Sequence, residues 1–130
     1  MAHYLDTSAL AKLVVAEPET AALRTWLSEA NREPVSSNLA RTELLRTVRR
    51  VAPDRVLQAR AMLDSITLTE LTTSLFEQAG RLDPTALSSV DAMHLAAALD
   101  LGDDLGGLVT YDDRLAEAAR SNGIAVTAPR

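Results

Sequence analysis

Short apolar stretches alternate with helix-length segments along this 130-residue chain, and that alternation limits the folds open to it more than any other feature. His3-Tyr4-Leu5, Pro34-Val35-Ser36-Ser37, Ile66-Thr67-Leu68, Leu108-Val109-Thr110-Tyr111 and Ile124-Ala125-Val126 read as five short strands. Each connection between them is long enough for a crossover, so parallel pairing is open throughout. The pattern predicts an α/β fold of three layers, α/β/α, with a central, mostly parallel sheet of about five strands. No repeat, low-complexity tract or linker interrupts it, so residues 1–130 are expected to form one domain.

The helices are read from apolar spacing and from their ends. Ser8 to Ala16 forms the first, with Ser8 as its N-cap. Pro18 interrupts, and Glu19 to Asn31 follows with Ala22, Leu23, Trp26, Leu27 and Ala30 on one stripe. Asn38 caps a helix to about Val51, and Val56 to Leu63 forms the next. Ser74 and Glu77 have capping-box spacing for a helix through Leu75, Phe76, Ala79 and Leu82. Leu87 to Leu99 is the most apolar helix. Gly102 and Gly106-Gly107 bracket a turn, and Asp112 opens a last helix that Asn122-Gly123 stops. Aromatic residues are only 3% of the chain, so the core must be built from Leu, Val and Ala.

The absence of cysteine excludes disulfides, thiolate metal sites and cysteine nucleophiles. A net charge of −5 argues against binding nucleic acid through a broad basic surface. It leaves open a nucleic-acid enzyme whose acidic site holds a divalent cation, because the ion reverses the local sign. There is no signal-peptide pattern and no membrane-length apolar run, so the expected compartment is the cytoplasm.

Four acids stand out by position. Asp6 follows the first strand, Glu43 lies in the helix after the second, Asp91 lies in the first turn of the apolar helix, and Asp112 follows the fourth strand. In open α/β sheets ligands bind at the carboxyl ends of the strands, which is where Asp6 and Asp112 fall. Each acid also has a plainer reading. Asp6 and Asp112 are good N-caps, Asp91 completes a Ser88-x-x-Asp91 capping box, and Glu43 can pair with Arg46. Held together, however, four carboxylates repel unless protonated or bridged by a cation. Mg²⁺ or Mn²⁺ would suit such oxygen ligands. The chemistry that follows is metal-assisted hydrolysis of a phosphodiester, with one ion or two.

These residues resemble a known family. Tyr4-Leu5-Asp6-Thr7-Ser8-Ala9-Leu10 is similar to the opening motif of PIN-domain nucleases, Thr42-Glu43-Leu44 to their second motif, Asp91-Ala92-Met93-His94-Leu95-Ala96-Ala97-Ala98 to their third, and Thr110-Tyr111-Asp112-Asp113-Arg114-Leu115 to their fourth. Length and motif form resemble the VapC-type toxins of bacterial toxin–antitoxin pairs. The resemblance implies a Mg²⁺-dependent endoribonuclease that cuts transfer or ribosomal RNA, is restrained by a VapB-type antitoxin, and forms a homodimer. It implies an acidic quartet of Asp6, Glu43, Asp91 and Asp112, with Asp6 and Asp91 as direct metal ligands. Thr7, Ser8 and Thr110 would support the carboxylates, and Asp112 takes the fourth place ahead of Asp113.

His94, one turn from Asp91, reads as a buried structural histidine more readily than as a general base. Arg41, Arg46, Arg49 and Arg50 make the helix of Glu43 basic. They read as a solvated face, as phosphate contacts, or as an antitoxin docking surface. Among rival enzymes, a haloacid-dehalogenase-like phosphatase needs an acid two residues after Asp6, where Ser8 stands. A receiver-type phospho-acceptor domain needs a lysine near its last strand, and the only lysine is Lys12. The non-enzyme alternative is a catalytically weak PIN-like module that works through protein partners.

Overall fold

A computed structural model describes residues 1–130. Its elements run β1 (Ala2–Leu5), α1 (Thr7–Val14), α2 (Thr20–Ser28), β2 (Glu33–Ser37), α3 (Leu39–Val51), α4 (Val56–Ser65), β3 (Thr67–Thr69), α5 (Thr73–Gly80), α6 (Ser89–Asp100), β4 (Leu105–Val109), α7 (Asp113–Ser121) and β5 (Val126–Thr127). Two 3₁₀ turns, Pro53–Arg55 and Gly102–Asp104, precede α4 and β4.

The five strands form one sheet in the order β3-β2-β1-β4-β5. Every pairing is parallel. The first three strands step outward from β1 in one direction. The chain then returns to the other side of β1 for β4 and β5. Right-handed crossovers require the helices to change face when the direction reverses, and they do. Leu5 and Val109 pack with Leu10, Leu23, Leu44, Val48 and Leu63 from α1 to α4. Tyr4 and Leu108, their neighbours on the same strands, pack with Leu75, Leu95, Leu115 and Ala119 from α5 to α7. Successive strand residues point to opposite faces, so Tyr4-Leu5 and Leu108-Val109 each feed both cores. The result is the expected α/β/α sandwich, and its reversal point lies between β1 and β4, the position that in open α/β sheets carries the ligand.

Several local expectations change. Asp6, not Ser8, caps α1: its Oδ1 accepts the Ala9 N–H at 3.1 Å. Asn38 makes no cap bond; its side chain turns outward from the helix and accepts the Leu71 N–H at 3.4 Å. Thr72 replaces the Ser74–Glu77 box by accepting from Leu75 N at 3.3 Å. The turn that Gly102 and Gly106-Gly107 bracket is the 3₁₀ turn Gly102–Asp104, and Gly106 and Gly107 themselves lie inside β4. A Cβ on Gly106 would stand 2.7 Å from His3 Cε1, and one on Gly107 3.0 Å from Ala125 O, so the strand needs glycine for close approach on both faces.

Candidate active site

The site is built from the carboxyl end of β1 outward. Asp6 leaves the strand with extended backbone, begins α1, and is only 3% exposed. Its Oδ1 accepts from Ser8 Oγ at 2.7 Å as well as from Ala9 N. Its Oδ2 accepts from Thr110 Oγ1 at 2.7 Å. Thr110 immediately follows β4, so this bond ties together the two strands flanking the reversal point. Ser8 Oγ also accepts from Tyr111 N at 2.9 Å. Burial pushes the Asp6 carboxyl above the ordinary aspartate range. The bonds from Thr110 and Ser8, the nearby His94 and the Ala9 N–H only partly offset it.

Glu43 projects from the second turn of α3 and is half-buried. Its Oε1 accepts from Thr7 Oγ1 at 2.7 Å and meets His94 Nε2 at 2.5 Å. The expected pairing with Arg46 is not formed; the partner comes instead from α6. Burial alone would raise the Glu43 carboxyl, but the bond and charge of His94, with the Thr7 hydroxyl, bring it below the usual glutamate range. His94 is 1% exposed, and its Nδ1 meets the Tyr4 hydroxyl at 2.7 Å. Tyr4 Oη also donates to Ser37 Oγ at 2.9 Å. Both ring nitrogens are thus occupied, as a structural reading of His94 requires. Tyr4, Ser37 and His94 complete a polar line from β1 and β2 to α6. The sequence offered one signal for it, a hydroxyl-bearing Tyr between His3 and Leu5 in the first strand.

Asp91 lies in the first turn of α6, which Ser88 caps by accepting from Asp91 N at 3.2 Å. Its carboxyl is pushed up first by burial and then by the charge of Asp112, with a smaller contribution from Asp6. Asp112 caps α7 through Oδ1, which accepts from Arg114 N at 2.9 Å and Leu115 N at 3.1 Å. Its own N–H donates to Thr110 Oγ1 at 3.0 Å. Asp113, the alternative to Asp112, is exposed. Capping and chemistry do not compete at Asp112, since both cap bonds use a single oxygen.

Direct hydrogen bonds join Asp6, Ser8 and Thr110 on one hand, and Glu43, Thr7 and His94 on the other. Asp91 feels the charges of Asp112 and Asp6, and neither Asp91 nor Asp112 makes a hydrogen bond to Asp6. No group of three or more His, Asp or Glu side chains converges at metal-holding distances. The donor set nevertheless fits a hard divalent cation. It is all carboxylate oxygen, and burial raises the Asp6 and Asp91 carboxyls by more than their hydrogen bonds and the nearby His94 offset. An ion held by one or two carboxylates, with water filling its remaining positions, needs no tighter cage.

The model of the PIN domain matches residues 3–121. Ribonuclease VapC46 of Mycobacterium tuberculosis (strain H37Rv) is 45% identical over 129 residues, covering 98% of this chain and 98% of that protein. Ribonuclease VapC47 of the CDC 1551 strain is 42% identical over 130 residues, covering 97% and 96%. Among solved structures, Mycobacterium tuberculosis VapC20, a toxin that cleaves the sarcin-ricin loop, superposes with a TM-score of 0.77 at 23% identity over 98% of this chain and 99% of that one. VapBC2 of Rickettsia felis, crystallised on a DNA fragment from its promoter, gives 0.73 at 15% identity over the full length of both. Those two likenesses concern the fold; the longer identities and the domain match place the chain in the PIN domain family, among the VapC-type ribonucleases.

Proposed function

We propose that this chain is a Mg²⁺-dependent endoribonuclease, the growth-inhibiting toxin of a VapBC-type pair, working as a single nuclease domain over residues 1–130. The observation that carries the reading is Asp6: a carboxylate 3% exposed, at the reversal point of the sheet, raised by burial and facing the further negative charge of Asp91. A buried acid whose carboxyl is raised despite three hydrogen bonds is a mark of chemistry more than of stability. Asp6 and Asp91 would hold the cation directly, with Glu43 and Asp112 completing the acidic quartet. When bound, Mg²⁺ (or Mn²⁺ in its place) supplies a water of lowered pKa and stabilises charge on the scissile phosphate.

The chain's own residues do the positioning. Ser8 and Thr110, their hydroxyls 3.4 Å apart, each hold one oxygen of Asp6. Thr7 and His94 take up Glu43 Oε1, which leaves Oε2 to accept a proton from an ordered water. Hydrolysis adds that water across the phosphodiester: a P–O bond to the attacking oxygen forms as the water gives one proton to Glu43 Oε2, and the P–O bond to the leaving ribose oxygen breaks as that oxygen takes up a proton from solvent water. Structured cellular RNA, transfer or ribosomal, is the proposed substrate class. A VapB-type antitoxin is the proposed partner, with a homodimer as the assembly and the cytoplasm as the compartment. No helix is long and apolar enough to cross a membrane.

The test uses the purified chain freed of antitoxin and total RNA. Cleavage is expected with Mg²⁺ or Mn²⁺ and is expected to stop with EDTA. Asp6→Asn keeps the helix cap, because Asn caps as well as Asp, and should lower the rate by at least about 10²-fold. Cleavage that survives EDTA, or an Asp6→Asn protein as active as the parent, would sink the reading.

A further inference from the structure

The acidic site leaves unexplained how a chain of net charge −5 holds a polyanion. Helix α3 carries the answer on the part that the site does not use. Arg46, Arg49 and Arg50 line a crevice of about 220 Å³ that contains no other residue. We infer that this crevice docks the phosphate backbone of the RNA strand on its way to the carboxylates. The inference rests on the reading of the site as a ribonuclease and adds where the strand is gripped.

Three observations carry it. The first is position. Glu43 stands at the site, and Arg46 and Arg50 follow it at three and seven residues, on the same side of the helix. At 1.5 Å per residue they lie about 4.5 and 10 Å farther along the axis, within one strand's reach of the pocket. The second is charge left uncompensated. Arg41, on the same helix, is paired with Asp64 at 2.9 Å. None of the three crevice arginines takes part in an ion pair, although the chain has 18 acids for 13 basic residues. Their spacing places like charges at i+3 and i+4, an arrangement that weakens a helix in isolation. The helix dipole accounts for cations in the last turn, where Arg49 and Arg50 sit, but not for Arg46. The third is chemistry. Guanidinium groups stay charged and grip phosphate through paired N–H donors. A crevice lined by them alone, with no apolar residue, lacks the apolar centre of a protein interface. It suits a nucleic-acid backbone, which is held by charge and needs no apolar pocket.

The measurement is binding of a labelled single-stranded RNA to the metal-free chain across a salt series, with cleavage kinetics on the Mg²⁺ form. Arg46→Gln, Arg49→Gln and Arg50→Gln are combined in one variant, and the three Lys replacements in a second. Single-stranded RNA contributes a slope of about −0.7 in log K against log salt for each phosphate neutralised. Losing three contacts should flatten the slope by about 2. The parent should then lose roughly 20-fold more affinity than the Gln variant between about 50 and 200 mM salt. KM should rise several-fold in the Gln variant with kcat held, and the Lys variant should keep most of the slope. An unchanged slope and KM would overturn the inference. So would a Gln variant that binds RNA normally but no longer binds its antitoxin, which would assign the crevice to a protein partner. If the parent cuts no RNA, the reading of the site fails, while the salt slope still decides the crevice.

Discussion

On one side of the carboxyl edge, Glu43 shares an oxygen with His94 and Thr7 and titrates below its ordinary range. On the other, Asp91 is raised above it, first by burial and then by the charges of Asp112 and Asp6. Glu43 and His94 belong to helices on opposite faces of the sheet, so their bond closes the sandwich over its edge. Asp91 and Asp112 sit on α6 and at the start of α7, which share one face, and the charge of each disfavours the other. A carboxylate therefore supports the fold on one side and works against it on the other. Natural sites often keep such locally unfavourable groups where function needs them.

The strongest way to break this comparison is Asp91→Asn. Activity should fall by at least about 10²-fold, as for Asp6, while the metal-free thermal midpoint rises. The sign follows from linkage. A carboxyl raised in the folded state favours folding fully only below the unfolded value near about 4, and that contribution is lost as pH rises through the raised value. Removing the charge removes the loss, so the parent's midpoint should decline over that range more than the variant's. Mg²⁺ should raise the parent's midpoint by mass action and leave the variant's nearly unmoved. A destabilised Asp91→Asn protein in scanning calorimetry would refute the like-charge account.

Glu43→Gln probes the opposite side. It removes the charged acceptor of two bonds, at a cost of about 1.5–3 kcal/mol. Because the Glu43 carboxyl is lowered, its contribution is present above about 4.3 and lost as pH falls through the lowered value. Urea unfolding at pH 7 should show the deficit, and it should narrow toward acid. Equal stability of parent and variant at pH 7 would mean the bond to His94 holds nothing. Tyr4→Phe gives the smallest effect, about 1 kcal/mol, since it removes one neutral hydroxyl while the ring keeps its place in the core. Activity should change only a few-fold; a collapse like that of Asp6→Asn would move Tyr4 from support into the chemistry.

The fold was legible because its signals are local. Strand-length apolar runs, helical stripes and the Asn122-Gly123 stop each lie within a few residues, and crossover length followed from their spacing. What was misread depends on remote neighbours. Ser8 looked like a cap because Ser caps helices, but Thr110 and Tyr111 lie across the sheet and hold Asp6 and Ser8 in other roles. Gly106-Gly107 were read as one edge of a turn, and nothing nearby in sequence shows that they belong to β4, where His3 and Ala125 press on them. The placement of the acids at strand ends could be foreseen from the order of elements. The His94 bond to Glu43 could not, because Arg46 was the obvious partner in sequence and His94 is 51 residues away.

The bond from Thr110 to Asp6 spans 104 residues. During synthesis, a growing chain therefore carries its first carboxylate from the outset but lacks the strand that flanks it. β4 must emerge and pair beside β1 before Asp6 is gripped from both sides, and Asp112 follows only two residues after Thr110. A growing chain thus holds Asp6 without its Thr110 bond until β4 has paired beside β1, which makes the geometry of the candidate site a late acquisition of folding.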